Sequence, residues 1–203
     1  MADYKNLKIF LLDNLGNLSV FILNILIARK LSVSDYGLYG ALINWYSIFT
    51  ISFFFLPFVI KSFSKRIIDL KNIIKFVNFY FGINIIIQFL VIFFFYNNIL
   101  KLFSQNFVNL IFLILIFEIV SYIFLIFTSF SLKKKEYLEY SFYVNLPLVI
   151  RLILFILFIF YIEINVEKII LLYILSTLII LPFIYLSNNS VKINKLLGIN
   201  YQF

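Results

Sequence analysis

The sequence contains no cysteine and no histidine. Without these residue types the chain has no disulfide, no thiolate nucleophile, no imidazole base and no His/Cys metal site. Its five glycines are scattered over 203 residues, so no glycine-rich phosphate loop can be written. These absences exclude several common kinds of catalytic and metal site before any segment is considered.

Charged residues are also scarce, at 13% of the chain, while 64% of the residues are hydrophobic and the mean hydropathy is +1.08. A soluble domain is about half apolar and carries about a quarter charged residues. A globule of this size leaves much of its surface in water and has no place for such a surplus of apolar groups. The composition therefore predicts an integral membrane protein.

Six apolar stretches, each near the ~20 residues that a helix needs to cross hydrocarbon, predict six transmembrane helices. Their predicted bounds are 7–28, 36–60, 73–96, 107–132, 141–161 and 169–186. Strands of a β-barrel would be about ten residues long with alternating polarity, and these runs show neither property. The predicted fold is all-α: one six-helix membrane lobe over residues 1–186 and a cytoplasmic tail over residues 187–203.

The distribution of lysine and arginine predicts the orientation of these helices. With both termini in the cytoplasm, twelve basic residues lie inside and four lie outside, and the outer four are Arg29, Lys30, Lys101 and Lys168. An excess of this kind over short loops follows the positive-inside rule, and it accounts for the net charge of +8 without nucleic acid. We expect a multi-pass protein of the cell (inner) membrane with both ends cytoplasmic.

Polar residues inside the predicted spans are the candidates for function, because a polar group in hydrocarbon must find a partner or water. In the first predicted helix Asp13, Asn17 and Asn24 fall within about 40° of one another and form a hydrophilic stripe. Asp13 is expected either to hydrogen-bond to a neighbouring helix or to line a water path. Asparagines on helix faces more often join helices than bind ligands.

Glu118 and Arg151 are the charged residues nearest the predicted midplane, since each lies about 10 residues, or roughly 15 Å, into its span. Two interpretations stay open. The residues form a structural ion pair that locks two neighbouring helices together. Alternatively, one or both face a hydrated cavity, where Arg151 attracts an anionic head group.

Small residues and prolines add two further expectations. Gly37, Ala41 and Asn44 recur at i, i+4 and i+7, which predicts a close-packed helix seam. Pro57, Pro147 and Pro182 each remove a backbone hydrogen bond. Helices that are broken or bent at membrane depth are common in transporters.

Residues 25–39, which read ILIARKLSVSDYGLY, resemble the first outer loop of the polysaccharide-exporting flippases in the multidrug/oligosaccharidyl-lipid/polysaccharide exporter superfamily. In that family a helix ends in Ala-Arg and is followed by Leu-Ser, two variable residues, an acidic residue, Tyr or Phe, and Gly. The matching positions are Ala28, Arg29, Leu31, Ser32, Asp35, Tyr36 and Gly37. Basic loops after the second and fourth predicted helices also agree with the family, so the resemblance extends along nearly the whole chain.

The resemblance implies a flippase that moves undecaprenyl-pyrophosphate-linked oligosaccharides, such as O-antigen units, between leaflets. Family members have two six-helix lobes around a cationic cavity, so this chain resembles the N-terminal half, and a second lobe or a second copy is an expected partner. The candidate substrate-binding residues are Arg151 and Arg29. The candidate cavity or coupling residues are Asp13, Asn17, Asn24 and Glu118. No catalytic residue, metal, cofactor or nucleic-acid partner is expected.

Three alternatives remain beside the flippase. One is another exporter of the same superfamily, for drugs or lipids, and one is an inert gene remnant. The third is a membrane enzyme that acts on lipid-linked glycans, which needs acid/base groups at the membrane surface and often a long outer loop. The sequence has no paired carboxylates at a catalytic spacing and no large loop, so we expect no enzyme.

Overall fold

The structure, a computed structural model, describes residues 2–63, 67–103, 105–133 and 136–188. Within these ranges the chain is all-helical, which confirms the predicted fold class. A 3₁₀ helix, Ile51–Phe55, joins the second and third α-helices. The α-helices are α1 (Ala2–Lys30), α2 (Val33–Thr50), α3 (Leu56–Phe63), α4 (Ile67–Phe103), α5 (Gln105–Lys133), α6 (Tyr137–Tyr161) and α7 (Val166–Asn188).

Five of the described helices are long and apolar enough to cross a bilayer, and the protein is therefore a polytopic membrane protein. Their apolar portions are Tyr4–Lys30, Asn72–Ile99, Asn106–Ser129, Tyr137–Tyr161 and Val166–Leu186. Each overlaps one of the six predicted spans. The remaining predicted span, 36–60, has a different structure.

The second predicted span is not one continuous α-helix, because α2 ends at Thr50 and α3 begins only at Leu56. Pro57 supplies the physical reason. Its ring removes a backbone N–H and clashes with the carbonyl four residues earlier, so the preceding turn distorts. The N–H of Leu56 accordingly bonds to the carbonyl of Phe53, three residues earlier. We call residues 50–55 the α2–α3 joint.

The helices also extend beyond the predicted spans. α4 runs for 37 residues, or about 55 Å, and turns most of the predicted breaks at 61–72 and 97–106 into helix. Lysine and asparagine permit helix, and a membrane helix continues readily through the headgroup layer. Residues 64–66, 134–135 and 189–203, which carry several of the basic residues counted as cytoplasmic and most of the predicted tail, lie outside the described residues.

The core of the lobe is built on α5 and α7. Fully buried side chains on these helices include Ile111, Ile114, Ile169 and Ile170, and they pack against Leu42 of α2. Most of α1 and α4 faces outward instead, with many exposed apolar side chains. Those faces suit contact with lipid chains, which are as apolar as leucine.

The α1 helix packs along α6 through a glycine and a set of polar bonds. Gly16 is buried, and a Cβ atom built there would lie 2.0 Å from Oδ1 of Asn145. Three residues earlier, Asp13 Oδ1 accepts hydrogen bonds from Ser141 Oγ at 2.6 Å and from Asn145 Nδ2 at 2.7 Å. A small residue with neighbouring polar bonds is a typical way for membrane helices to associate.

We expect Gly16→Ala to destabilise the protein by about 1–3 kcal/mol, because the new methyl group displaces the Asn145 side chain from its bond with Asp13. Gly37→Ala is the matched control, since a Cβ at Gly37 meets nothing within 4 Å. The control is expected to be neutral or to stabilise by up to about 1 kcal/mol through helix propensity. The midpoint of thermal unfolding is measured for both variants and the wild type in the same detergent. Equal midpoints for the two variants would contradict the close approach of Gly16 to Asn145.

The environment of Gly37 corrects a second prediction. Gly37 and Asn44 are exposed, and only Ala41 of the predicted seam packs towards the core. The i, i+4, i+7 spacing was right for one helix face, but that face turns outward because Tyr39 and Leu42 are the α2 residues buried in the core. The predicted close-packed seam is therefore not formed inside this lobe.

Candidate functional site

A cavity of about 430 Å³ opens within the lobe, and α1, α2, α5, α6 and α7 all contribute to its wall. Four tyrosines line it: Tyr39, Tyr46, Tyr140 and Tyr173. Among the described lining residues Arg151 is the only charged one. A larger groove of about 530 Å³ lies between α3 and α4, but its lining is almost entirely apolar. The cavity around Arg151 combines a cation, aromatic rings and hydroxyl groups within the lobe, and we take it as the candidate site.

The guanidinium of Arg151 is held by aromatic rings and one hydroxyl. Its central carbon lies 3.7 Å from the centre of the Tyr173 ring and 5.8 Å from that of Phe117. Its Nε atom donates to Ser176 Oγ at 3.3 Å. Within the part of the chain that is described, no carboxylate lies within ion-pair distance. The ring faces attract the cation, but its full positive charge remains uncompensated.

The ring under Arg151 is itself fixed between two helices. The hydroxyl groups of Tyr173 on α7 and Tyr39 on α2 lie 2.6 Å apart and share a hydrogen bond. Their rings meet edge to face, with centroids 6.4 Å apart. Both residues are buried. This tyrosine pair therefore ties α2 to α7 and sets the position of the cation.

A second polar group lies behind the cavity wall, between α2, α4 and α5. Gln88 Nε2 donates to Glu118 Oε2 at 2.6 Å and to Asn84 Oδ1 at 2.8 Å. Trp45 Nε1 donates to Gln88 Oε1 at 2.9 Å. Asn84 Nδ2 donates to the carbonyl of Phe49, next to the α2–α3 joint, at 2.8 Å. We call Trp45, Asn84, Gln88 and Glu118 the amide cluster.

Glu118 and Arg151 do not form the ion pair that was one of the two interpretations of the sequence. Glu118 bonds to Gln88, whereas Arg151 contacts Phe117, the preceding residue on α5. Consecutive residues of a helix point about 100° apart, so the two charged groups meet different sides of α5. The arginine faces the cavity, and the carboxyl faces the amide cluster.

The predicted polar stripe of α1 divides into separate environments. Asp13 bonds across to α6, which was one of its two expected roles. Asn24 lines the cavity together with Arg151. Asn17 is exposed, and within the described residues its side chain makes no hydrogen bond. Arg29 lies in the exposed last turn of α1, away from the cavity lining.

The motif that carries the family resemblance forms the start of α2. Ser32 is the N-cap, and its Oγ accepts from the backbone N–H of Asp35 at 3.1 Å and donates to Asp35 Oδ2 at 2.8 Å. The aspartate also places a negative charge in the first turn, where the helix dipole favours it. Ser32 and Asp35 therefore stabilise the entry of the chain into α2.

Glu118 is the member of the amide cluster that was named above as a candidate. The sequence also carries a signal for two others, because Tyr80, Asn84 and Gln88 repeat at i, i+4 and i+8 on one face of the third predicted helix, and Asn84 and Gln88 join the cluster. Trp45 and Tyr39 carried no such signal, because tryptophan and tyrosine are also common at membrane interfaces. Their roles follow only from the way that α2 packs against α4 and α7.

The cavity and the amide cluster thus provide one uncompensated cation, one buried carboxyl and several aromatic rings at membrane depth. In comparisons with family models, with curated proteins and with solved structures, the chain matches none of them.

Proposed function

We propose that this chain forms one lobe of an exporter that moves an anionic lipid-linked oligosaccharide, of the undecaprenyl-pyrophosphate type, from the inner to the outer leaflet of the cell membrane. The observation that supports the proposal is Arg151, a cation without a carboxylate partner among the described residues, on the wall of a cavity at membrane depth. A half-buried charge at this depth is costly unless a ligand or water compensates it.

The chemistry of the cavity matches an anionic head group. The planar guanidinium donates in a fork that fits phosphate oxygens, and its position on the Tyr173 ring orients that fork. Tyrosine hydroxyls and Asn24 line the same space and offer hydrogen bonds to phosphate or sugar. A volume of about 430 Å³ lies in the range of small-molecule pockets and has room for a phosphate group with an adjoining sugar.

A second lobe, supplied by another copy or another chain, completes the proposal. Asn17 and Asn44 are exposed on α1 and α2, in apolar segments of the chain. A polar amide turned towards lipid loses its hydrogen bonds to water, which favours coverage by a partner. Both termini are proposed to be cytoplasmic, because the basic residues then concentrate on the inner side.

Complementation of a strain that lacks its repeat-unit flippase tests the proposal. Expression of this chain, with a tag that confirms membrane insertion, is expected to restore surface polysaccharide. Its oligomeric mass in a lipid nanodisc is expected to exceed that of one chain. Correct insertion without any surface polysaccharide would contradict the flippase, and a monomer that restores export would contradict the second lobe.

A further inference from the structure

We infer that the Glu118 carboxyl binds an exchangeable proton and that its charge state acts on the α2–α3 joint through the amide cluster. Glu118 is 1% exposed, and its Oε1 atom is buried and has no hydrogen-bond partner among the described residues. The residue lies near the middle of the apolar segment of α5. A proton bound to an unpartnered carboxyl oxygen at this depth removes a charge that is unfavourable there.

The energetics favour a site that changes charge. An ionised carboxylate in an apolar interior costs far more than the neutral acid, unless a cation or several donors satisfy it. Glu118 has one donor, Gln88 Nε2, and no cation among the described residues. Proton binding converts the carboxylate to the acid, and the proton comes from water and returns to it.

The neighbouring bonds select the atom that takes the proton. Trp45 Nε1 can only donate, so it requires the oxygen of Gln88 and turns the amide nitrogen of Gln88 towards Glu118. Oε2 of Glu118 is therefore an acceptor. The proton is left to Oε1.

Among the described residues, few other titratable groups lie near Glu118 on the helices around it. They are Tyr46 of α2 and Tyr122 one turn along α5, while Tyr173 of α7 and Arg151 of α6 contact Phe117 instead. Tyr122 is engaged with Asn78, and Tyr173 with Tyr39. Phe117 and Ser121 line the cavity on either side of Glu118 in the sequence, so water in the cavity is within one helical turn.

The amide cluster connects this carboxyl to the break in the second span. In a continuous helix the carbonyl of Phe49 would accept from the N–H of Phe53, but here Asn84 Nδ2 occupies it. Asn84 is held in turn by Gln88, which also holds Glu118. A bond from Gln88 to an ionised carboxylate is stronger than one to the neutral acid. Protonation at Oε1 therefore weakens the bond from Gln88 to Oε2 and changes how firmly Asn84 is held against the Phe49 carbonyl at the joint.

The single tryptophan of the chain reports on this site directly, because Trp45 bonds to the same amide as Glu118. The full chain in lipid nanodiscs is titrated with acid and base while its tryptophan emission is recorded. Wild-type protein is expected to show one sigmoidal change. Glu118→Gln is expected to give a flat response, and Glu118→Asp a titration with a shifted midpoint.

Asp13→Asn is the matched control, since it removes another carboxyl of the apolar spans that bonds to α6 and not to the cluster. It is expected to titrate like the wild type. A flat wild-type response, or the same sigmoid in Glu118→Gln, would overturn the proton site.

Hydrogen–deuterium exchange tests the link to the joint. Exchange at the Ile51–Phe55 amides is expected to change with pH in the wild type and to stay constant in Glu118→Gln. Exchange that is independent of pH in both proteins would overturn the link. Neither measurement needs transport, so both remain informative if complementation fails; use of the proton to drive export rests on the proposed function.

Discussion

Under the proposed function, Arg151→Ala is expected to abolish the surface polysaccharide that we expect the wild-type chain to restore in a flippase-deficient strain. The guanidinium is the only charged group among the described cavity residues, and no other side chain there can replace it. Loss of charge-assisted bonds to a head group corresponds to about 1.5–3 kcal/mol, or roughly a 10–150-fold loss in affinity. Surface polysaccharide is measured by immunoblot at matched protein levels.

Arg151→Lys separates geometry from charge. Lysine keeps the charge but loses the planar fork and the stacking on Tyr173, so only a small part of export is expected to remain. Lys168→Ala is the control for removal of a cation elsewhere, because Lys168 lies in the first turn of α7, outside the cavity lining, where its Nζ donates to the Glu163 carbonyl. Full export by Arg151→Ala would contradict the assignment.

Arg29→Ala distinguishes the two arginines that the resemblance nominates. Arg29 is exposed at the end of α1 and outside the cavity lining. Its loss is therefore expected to reduce export much less than the loss of Arg151. An equal loss in both variants would indicate that the head group binds at the C-terminal end of α1 and not in the cavity.

Gln88→Leu is expected to cause the largest loss of stability, about 2–5 kcal/mol. Gln88 is 0% exposed and makes three side-chain hydrogen bonds, to Trp45, Asn84 and Glu118. Leucine fills a similar volume but leaves buried Asn84 and Glu118 and half-buried Trp45 without these bonds, and each buried group that loses its partner costs about 1–3 kcal/mol. Partial compensation in the unfolded membrane-embedded state lowers the total.

A double mutant tests whether the loss comes from the unpaired carboxyl. In Gln88→Leu with Glu118→Leu the carboxyl is absent, so the combined loss is expected to be smaller than the sum of the single losses. Asn98→Leu is the control on the same helix, since Asn98 is exposed, and a change near zero is expected. Additive losses in thermal unfolding would show that the cluster does not act as a unit.

Much of the fold could be predicted because apolar length is a strong signal. The segment Asn106–Ser129 has a mean hydropathy of 2.9, and no water-soluble arrangement of it competes with a membrane helix. The break at the α2–α3 joint was harder to predict. Pro57 predicted a distortion of the second span. The extent of that distortion also depends on Asn84 of α4, whose Nδ2 donates to the carbonyl of Phe49.

The site could be predicted only in part, because a sequence gives the depth of a residue better than its direction. Glu118 and Arg151 were placed at similar depth, and both interpretations depended on which side of α5 faced α6. Phe117 and Glu118 point about 100° apart around the axis of α5, and in the structure Phe117 is the one that contacts Arg151. Which of the two faces α6 depends on the packing of apolar side chains around α5. The cavity role of Arg151 for a substrate stays a prediction.

The length of α4 has a consequence for the surroundings of the protein. Its apolar portion, Asn72–Ile99, measures about 42 Å, well beyond the roughly 30 Å of a typical hydrocarbon layer. A helix of this length fits the bilayer by tilting, and a thicker bilayer with longer acyl chains reduces the tilt. Asn84 and Gln88 lie on this helix and bond to α2 and α5. A change in helix tilt with bilayer thickness is therefore expected to alter these bonds.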